Sequence, residues 1–469
     1  MFKKIIFVCL LILTISKLEV QAQFQFTALV LDEESEEPLI GATIYANKLK
    51  LGGITDTTGK TEINDIPSGQ HEFKISYVGY EAQSVKLTFP MEDSSDILIF
   101  KLRHGHDEME EVVVSSTRSS RTIDDIPTRI EMIAGEELAE KGNMKPGDIR
   151  MLLNESTGIR TQQTSATSYN SSIRIQGLDG KYTQLLRDGL PLYSGFSGSL
   201  SLMQIAPLDL KQVEVIKGAN STLYGGGAIA GLVNLISKDP KSEPELSMMF
   251  NGTSALGLDV SSFYANKNEK MGTTIFASYN KGTAYDPAGI GLTAIPEFDR
   301  FTLNPKLFIY PREETTVEIG LNMVKEERLG GNIAFINGEN VNNPYFELNE
   351  TDRISSQIII DHSFEDEFKA SFKNSLSYFD RAIAIPNYHF SGLQFSSFSE
   401  LNFNYVKESS EWIGGLNLWT ENFDQSLDSL AFDHSFQEFT TGIFLQNTYD
   451  FTENITVESG LRLDYIYSQ

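Results

Sequence analysis

The sequence predicts a mainly β protein with a small β-sandwich, a mixed α/β unit and a run of transmembrane β-barrel strands. Short β-prone runs separated by Gly, Pro, Asp and Ser fill residues 24–103, which is typical of a sandwich. Helix and strand patterns mix between residues 123 and 238. From residue 239 onward, apolar and polar residues alternate over about ten residues per strand, as in outer-membrane barrels.

Residues 1–22 are predicted to be a secretory signal peptide. Two lysines precede an apolar core from Ile5 to Ile15, and small residues lead to a cleavage site after Ala22. An uncleaved membrane anchor is the alternative. The signal also contains Cys9, the only cysteine of the chain, so the mature protein is expected to have neither disulfides nor cysteine metal sites.

Charge and motif spacing exclude several classes of function. A formal net charge of −26 gives a surface that repels nucleic acid, and its simplest role is solubility. The His-Glu pair at 71–72 lacks the second histidine of a zinc peptidase helix. Gly226 and Gly231 have the separation of a phosphate-binding loop, but Leu232 follows where that loop requires lysine. The sequence therefore predicts no enzyme, no catalytic residue, no cofactor and no resident metal.

The first domain is predicted over residues 23–103, and a charged linker follows over residues 104–122. Two linker histidines, His104 and His106, could bind a metal, but without a third ligand they are more simply linker residues. The segment Glu110–Ser116 is β-prone and flanked by polar residues. It either adds an edge strand to the sheet of a partner or is an ordinary strand of the next domain.

The mixed unit over residues 123–238 contains the least usual stretch of the chain. Its first part predicts helices broken by Gly and Pro, and residues 171–193 predict a β-hairpin that turns at Gly177–Gly180. The stretch Val213–Lys238 then places three consecutive glycines between two β-prone runs. Its apolar run is shorter than the roughly 18 residues of a membrane helix. A tight turn with close backbone approach is the remaining interpretation.

The region 239–469 is predicted to alternate short turns with long connections, which is the layout of outer-membrane barrels. Residues 439, 441, 443 and 445, for example, share one apolar face. The predicted short turns are 266–270, 311–314, 364–367, 407–411 and 451–454. The predicted long connections are 282–299, 326–351, 381–396 and 424–437.

Two parts of the chain resemble known families. Residues 24–103, with EEPLIGATIY and GGITDTTGKTEINDIPSGQHEFKISYVGY, resemble the carboxypeptidase regulatory-like domain found on Bacteroidetes envelope proteins. The blocks IRIQGLDGKYTQLLRDGLPLY and PLDLKQVEVIKGANSTLYGGGAIAGLVNLISK resemble the plug domain of TonB-dependent outer-membrane receptors, and that resemblance covers essentially all of residues 105–469. It implies that the glycine-rich stretch packs tightly inside a plug domain at 123–238.

The resemblance also implies partners and site residues. A large ligand would bind the plug and the outer loops, and TonB, energised from the inner membrane, would pull on a TonB box. That box would be Glu111, Val112, Val113, Val114 and Ser115. Ligand-facing residues in two plug loops would be Gln163, Tyr169, Tyr193, Phe196 and Ser197. Charges placed between plug and barrel would be Arg174, Glu214 and Lys217, the last in place of an arginine that would bind bidentately.

The resemblance leaves the ligand and the extent of the chain open. About eleven strands are predicted from Leu246, whereas barrels of this kind have 22, so the sequence is expected to be an N-terminal fragment containing the first half of the barrel. The expected ligand is a ferric siderophore or haem. Cobalamin or another large nutrient is the alternative ligand, and a surface binding or signalling module without transport of its own is the alternative function.

Overall fold

The structure is a computed structural model. It describes residues 24–33, 35–46, 48–77, 80, 82–91, 97–103, 114–119, 121, 130–165, 167–192, 201–365, 367–426, 432–452 and 455–469. Two compact units meet in the chain between residues 112 and 113. Within the described residues, no helix has both the length and the apolar character that crossing a membrane requires.

The first unit is the predicted β-sandwich. Its two sheets have the strand orders β4-β1-β7 and β3-β2-β5-β6. Phe26, Ala28 and Val30 alternate with more accessible residues and fill the core between the sheets, where Phe73 packs against Phe26. The strands are β1 Phe24–Asp32, β2 Thr43–Ala46, β3 Leu51–Ile54, β4 Lys60–Ile66, β5 Gly69–Ser76, β6 Gln83–Phe89 and β7 Leu98–Leu102.

The second unit begins with the predicted α/β domain. Its five-stranded sheet has the order β12-β11-β14-β13-β8, and β9 and β10 form a separate pair. The elements are β8 Ile130–Ala134, α1 Gly135–Met144, α2 Arg150–Asn154, β9 Ile159–Gln163, β10 Ser171–Ile175, β11 Thr183–Arg187, β12 Leu190–Pro191, β13 Leu210–Lys217, α3 Ser221–Tyr224 and β14 Gly231–Ser237. Single 3-10 turns occupy Ser115–Thr117, Gly180–Tyr182, Ser201–Gln204 and Gly225–Ala228.

The predicted hairpin across Gly177–Gly180 is wrong. β10 pairs with β9, whereas β11 pairs in parallel with β14. The reason lies in the sequence of β11, where Leu185, Leu186 and Arg187 are buried in succession. Successive buried residues need cover on both faces of the strand, which a central position beside β14 provides and a two-stranded hairpin does not.

The glycine-rich stretch forms the tight backbone crossing that was predicted. Gly231 opens β14 at φ +135°, a conformation that side-chain-bearing residues rarely adopt. A Cβ at Gly231 would also collide with the carbonyl oxygen of Ile216 on β13. The glycine therefore lets β13 and β14 come together directly after the 3-10 turn Gly225–Ala228.

An antiparallel sheet of eleven strands follows, in sequence order from β15 to β25, and it resembles half of a barrel. In β17, Thr274, Ser278 and Asn280 are buried on the inner face, while Ile275 and Tyr279 are exposed on the outer face. The strands are β15 Glu245–Gly252, β16 Leu258–Lys267, β17 Met271–Gly282, β18 Glu297–Arg312, β19 Thr315–Gly331, β20 Phe346–Glu365, β21 Phe368–Ile385, β22 Tyr388–Lys407, β23 Ser410–Ser426, β24 Phe436–Thr452 and β25 Ile455–Ser468; α4 is Ile333–Ile336.

The connections follow the predicted alternation with one exception. Each of the five predicted short turns lies between two strands that pair with each other. Longer stretches separate the strands at 283–296, 332–345 and 427–435. The predicted long connection at 381–396 is wrong, because β21 and β22 continue to a turn at 386–387. Asn387 adopts φ +63° there, the left-handed conformation that two-residue hairpins favour. Strand pairing extends to the tip of the hairpin, where Ile385 faces Tyr388.

Candidate functional site

The α/β domain is attached to the polar face of the eleven-stranded sheet through a turn at residues 188–189. Asp188 lies at φ +52° directly after β11. Its Oδ2 accepts hydrogen bonds from Lys306 Nζ on β18 at 2.6 Å and from Gln357 Nε2 on β20 at 3.1 Å. Its Oδ1 accepts from the backbone N–H of Ser237 at 2.9 Å and from the Ser237 hydroxyl at 2.7 Å. The turn therefore joins the domain to two strands.

Neighbouring charges reinforce this junction. Burial disfavours the ionised form of Asp188, but Lys306 and Arg187 outweigh burial and hold its pKa well below its usual range. Lys306 also forms an ion pair with Glu318 on β19 at 2.7 Å. Arg187 itself forms an ion pair with Asp209, which accepts a hydrogen bond from Asn304 on β18 at 3.0 Å. A connected polar network, and not a single ion pair, thus fixes the domain to the sheet.

A second contact lies at the end of the sheet that carries the long connections, and its partner is the outer plug loop (164–165 and 167–170). The Ser165 hydroxyl donates to Glu347 at 2.8 Å. Arg328 donates to the carbonyl oxygen of Ser168 at 3.1 Å and to Asn170 Oδ1 at 2.7 Å. Thr293, in a long connection, donates to the carbonyl oxygen of Thr167 at 3.1 Å. The loop predicted to face the ligand therefore lies at the long-connection end.

The predicted ligand-facing residues have different environments. Gln163 is exposed at the end of β9, and its Nε2 donates to the carbonyl oxygen of Ser165 at 2.7 Å. Tyr169 is half-buried at φ +62°, with Arg150 4.1 Å and Lys145 4.9 Å from its ring centroid. Its ring is thus largely engaged by cations of the same domain. Tyr193, Phe196 and Ser197 lie outside the described residues.

The cations beneath Tyr169 are held by Asp148. Arg150 forms an ion pair with Asp148 at 2.9 Å, and Lys145 forms another at 3.1 Å. Burial raises the pKa of this carboxyl, but the charge of Arg150 and its hydrogen bond to Asp148, then the charge of Lys145, outweigh burial and lower the pKa to about 2. Asp148 thereby sets the position of both side chains that contact the Tyr169 ring.

Replacing Asp148 with asparagine is expected to remove stability that depends on pH. A lowered carboxyl pKa stabilises the fold fully above the unfolded value of 3.8 and loses that effect as pH falls toward about 2. The free energy of unfolding of the variant should therefore be about 2 kcal/mol lower than that of the unmodified protein at neutral pH, and this difference should shrink in acid. Scanning calorimetry between pH 7 and pH 2.5 measures it. Glu136→Gln, an exposed change in the first turn of α1, is the control, and its free energy of unfolding should equal that of the unmodified protein at every pH.

The segment before the α/β domain is held by plug and sheet together, and residues 114–119 are called the leading segment here. Of the predicted TonB box, Glu111, Val112 and Val113 lie outside the described residues, Val114 is buried, and Ser115 begins a 3-10 turn. Glu214 accepts hydrogen bonds from the backbone N–H groups of Ser115 and Ser116 at 2.9 and 2.8 Å. The described end of the box is therefore a turn bound to a carboxylate.

Ion pairs to the sheet come from two arginines that the sequence analysis did not select. Arg118 contacts Glu400 on β22 at 2.5 Å, and both side chains are buried. Arg121 contacts Glu411 on β23 at 3.1 Å and Asp450 on β24 at 2.8 Å. A signal was available, since Glu400 and Glu411 occupy inward positions in the alternating strands. A buried glutamate on that face requires a cation nearby.

The three charges predicted to lie between plug and barrel have plug partners in the described contacts. Glu214 binds the leading segment, Gln212 at 2.7 Å and Asn234 at 3.2 Å. Lys217 forms an ion pair with Glu131 on β8. Arg174 lies 3.9 Å from Asp179. For Glu214 and Lys217 the contacts differ from the prediction because β13 is the interior strand between β14 and β8, so its side chains meet neighbouring strands first. Arg174 lies on β10, outside that sheet, and its side chain is partly exposed.

A cavity of about 390 Å³, lined by both charged and apolar side chains, separates the glycine turn from the last strands of the sheet. Arg118, Glu400, Arg462 and Asp464 contribute charges of both signs to its lining, and Gly225 lies beside the Arg462 guanidinium of β25. The glycine stretch therefore packs against β13 on one side and borders this cavity on the other.

Comparison with known proteins agrees with this architecture. Residues 122–232 match the TonB-dependent receptor plug domain, and residues 29–114 match the CarboxypepD_reg-like domain. The ferric aerobactin receptor of Klebsiella pneumoniae is 32% identical over 155 residues, which is 32% of this chain and 20% of that receptor. The chain thus matches a fifth of that relative's length.

Solved structures share the fold of the second unit. The ferric-catecholate import receptor Fiu from E. coli K12 superimposes with a TM-score of 0.59 at 14% identity, covering 75% of this chain and 61% of that one. The ferric yersiniabactin uptake receptor FyuA from Yersinia pestis gives 0.58 at 16% identity, covering 76% and 59%.

A folded domain bound to the polar inner face of a barrel-like sheet defines the class of plugged barrels. The chain therefore contains a plug domain of the TonB-dependent receptor type and shares the fold of the solved receptors. It carries the predicted CarboxypepD_reg-like domain ahead of its plug.

Proposed function

We propose that this protein is an outer-membrane receptor that binds a ferric siderophore and imports it with energy transmitted by TonB. The observation that carries the proposal is the plug held on the inner face of the sheet, with its leading segment bound beside it. Polar contacts and small apolar clusters, such as Leu190 with Ile359 and Phe398, together attach this plug to the sheet. A relative that is 32% identical over 155 residues is named a ferric aerobactin receptor.

Positive charge at the long-connection end supports an anionic ligand. The inner face there carries four buried arginines on adjacent strands, although the chain as a whole has a net charge of −26. They are Arg300 on β18, Arg328 on β19, Arg353 on β20 and Arg381 on β21. Glu326 forms ion pairs with Arg300 and Arg328 and offsets part of this charge, but the arginines outnumber the carboxylates beside them, and an excess of positive charge attracts ligands of the opposite sign. Ferric chelates with carboxylate or catecholate groups, and haem with its carboxylates, are negatively charged. They fit the positive charge of these arginines better than uncharged cobalamin does.

Uptake by a gene-deletion strain tests the proposal. Under iron limitation, the strain would be supplied with ferric aerobactin, a ferric catecholate, ferric citrate or haemin as the iron source, or with cobalamin in a separate test. We expect the deletion to abolish accumulation of radioactive iron from one ferric chelate, and the restored gene to recover it. Cells whose restored gene lacks the codons for residues 111–115 should bind that chelate at their surface without accumulating it.

The other outcomes discriminate the alternatives. Loss of haemin-derived iron alone would make haem the substrate. Loss of cobalamin uptake alone would mean that the substrate is a corrin and not an iron compound. Full uptake by the strain with the gene lacking residues 111–115 would contradict energy transfer through the predicted TonB box. A changed transcriptional response with unchanged uptake of every compound would favour the signalling module.

A further inference from the structure

Glu214 is bound in a way that a merely structural carboxylate would not require. It is fully buried in β13, and its two oxygens accept four hydrogen bonds. Gln212 and Asn234, both side chains of the plug, supply two of them. The other two come from the backbone N–H groups of Ser115 and Ser116. Half of the hydrogen bonds to a buried charge therefore depend on a segment outside the plug sheet.

The leading segment is held through its backbone alone at this point. The Tyr224 hydroxyl donates to the carbonyl oxygen of Ser116 at 2.7 Å. The same turn is therefore bound by Glu214, which accepts hydrogen bonds from it, and by Tyr224, which donates one to it. The side chain of Ser115 is exposed. Departure of the segment would leave Glu214 with only two donors in a buried position, which is costly for a carboxylate. The contact therefore resists displacement until something else satisfies Glu214.

Asn234 connects this contact to the junction with the sheet. Asn234 lies opposite Glu214 in the β13–β14 ladder and donates to it through Nδ2 at 3.2 Å. The other end of the same amide, Oδ1, accepts from the backbone N–H of Gly189 at 3.0 Å. Gly189 follows Asp188, which binds Lys306 and Gln357 on the sheet. One fully buried side chain thus separates the leading segment's contact from the turn that attaches the plug.

We infer that Glu214 and Asn234 are positioning residues that couple retention of the leading segment to the seating of the 188–189 turn on the sheet. Displacing the turn rotates or withdraws the Asn234 amide and weakens the hold of Glu214 on Ser115 and Ser116. By the reciprocity of linked equilibria, pulling the leading segment loosens the turn by the same free energy. The inference rests on the proposed function only in identifying this segment as the one that contains the end of the predicted TonB box.

A spin label at residue 115 measures the retention directly. Ser115→Cys provides an exposed attachment site, and Cys9, the only native cysteine, lies in the predicted signal peptide. The receptor is purified in detergent, and the ratio of mobile to immobile label is read from its resonance spectrum. Neither chelate nor TonB is present, so a failure of the proposed import function would leave this measurement unchanged.

Glu214→Gln should raise the mobile-to-immobile ratio by about tenfold or more. The side-chain nitrogen of glutamine is itself a donor, so it cannot accept the two hydrogen bonds that one carboxylate oxygen of Glu214 accepts. Glu131→Gln is the matched control, since Glu131 lies on the adjacent strand β8 and pairs with Lys217. It should leave the ratio within about twofold. Gln212→Ala, which removes one donor to Glu214, is the second variant if Glu214→Gln does not fold. It should raise the ratio in the same direction.

Coupling is tested by a double-variant cycle. Asp188→Asn alone should raise the ratio at residue 115 severalfold although it lies outside the leading segment. In the Asn234→Ala background the same change should have no further effect, since the connecting amide is absent. An unchanged ratio in Glu214→Gln, or equal effects of Asp188→Asn with and without Asn234, would overturn the inference.

Discussion

Replacing Asp188 with asparagine is expected to destabilise the seated plug by about 3 kcal/mol. Asparagine tolerates the left-handed φ of +52° at this turn, so the backbone should not be strained. Its Oδ1 can still accept from Ser237, but an amide nitrogen would replace the oxygen that accepts from Lys306 and Gln357. Breaking a buried ion pair typically costs about 3–5 kcal/mol. Because Glu318 still neutralises Lys306, we expect the lower end of this range.

Calorimetry of the receptor in detergent measures this loss, and permeability of cells to vancomycin reports it in the membrane. We expect a lower plug transition and increased sensitivity to the antibiotic, since a loosened plug no longer closes the barrel. Asp179→Asn is the control, because Asp179 is exposed and lies 3.9 Å from its partner Arg174. That change should cost less than about 0.5 kcal/mol. Equal unfolding of the two variants would contradict the importance of the junction.

The sheet was largely predictable because its residues obey a local rule. In a barrel strand every second residue meets lipid and the others meet the polar interior, so the pattern can be read in consecutive residues such as Ser278, Tyr279 and Asn280. The exception was the turn at 386–387. Residues 381–396 are rich in aromatics and small polar residues, and that composition does not separate a loop from a strand that extends beyond the others.

The candidate site was less predictable because its contacts join residues far apart in the chain. Asp188 and Lys306 are 118 residues apart, and Arg118 and Glu400 are 282 apart. No periodicity relates such pairs. Glu214 was selected because a plug strand carries a charge there, but its partners depend on where the leading segment returns. Of the three charges selected from the sequence, Glu214 and Lys217 are buried and Arg174 is partly exposed, while buried charges such as Arg118 and Lys306 were not selected.

Gly330→Ala is expected to displace the outer plug loop while leaving the sheet folded. Gly330 lies near the end of β19, and a Cβ there would collide with the carbonyl oxygen of Thr167 and lie 2.7 Å from its carbonyl carbon. Both are backbone atoms, so no side-chain rotation can relieve the contact. The loop should move away and lose the hydrogen bonds that Arg328 donates to Ser168 and Asn170. Overpacking of this kind costs about 1–3 kcal/mol.

Hydrogen–deuterium exchange of the peptide covering residues 159–175 measures the displacement. Its exchange should accelerate by about tenfold or more, which corresponds to about 1.4 kcal/mol of lost protection. Gly252→Ala is the matched control, because Gly252 ends strand β15 and a Cβ there meets no atom within 4 Å. Unchanged exchange in Gly330→Ala would mean that β19 yields in place of the loop. If the loop carries the ligand contacts, the same variant should also bind the imported chelate at least about tenfold more weakly, since those contacts depend on the position that Gly330 permits.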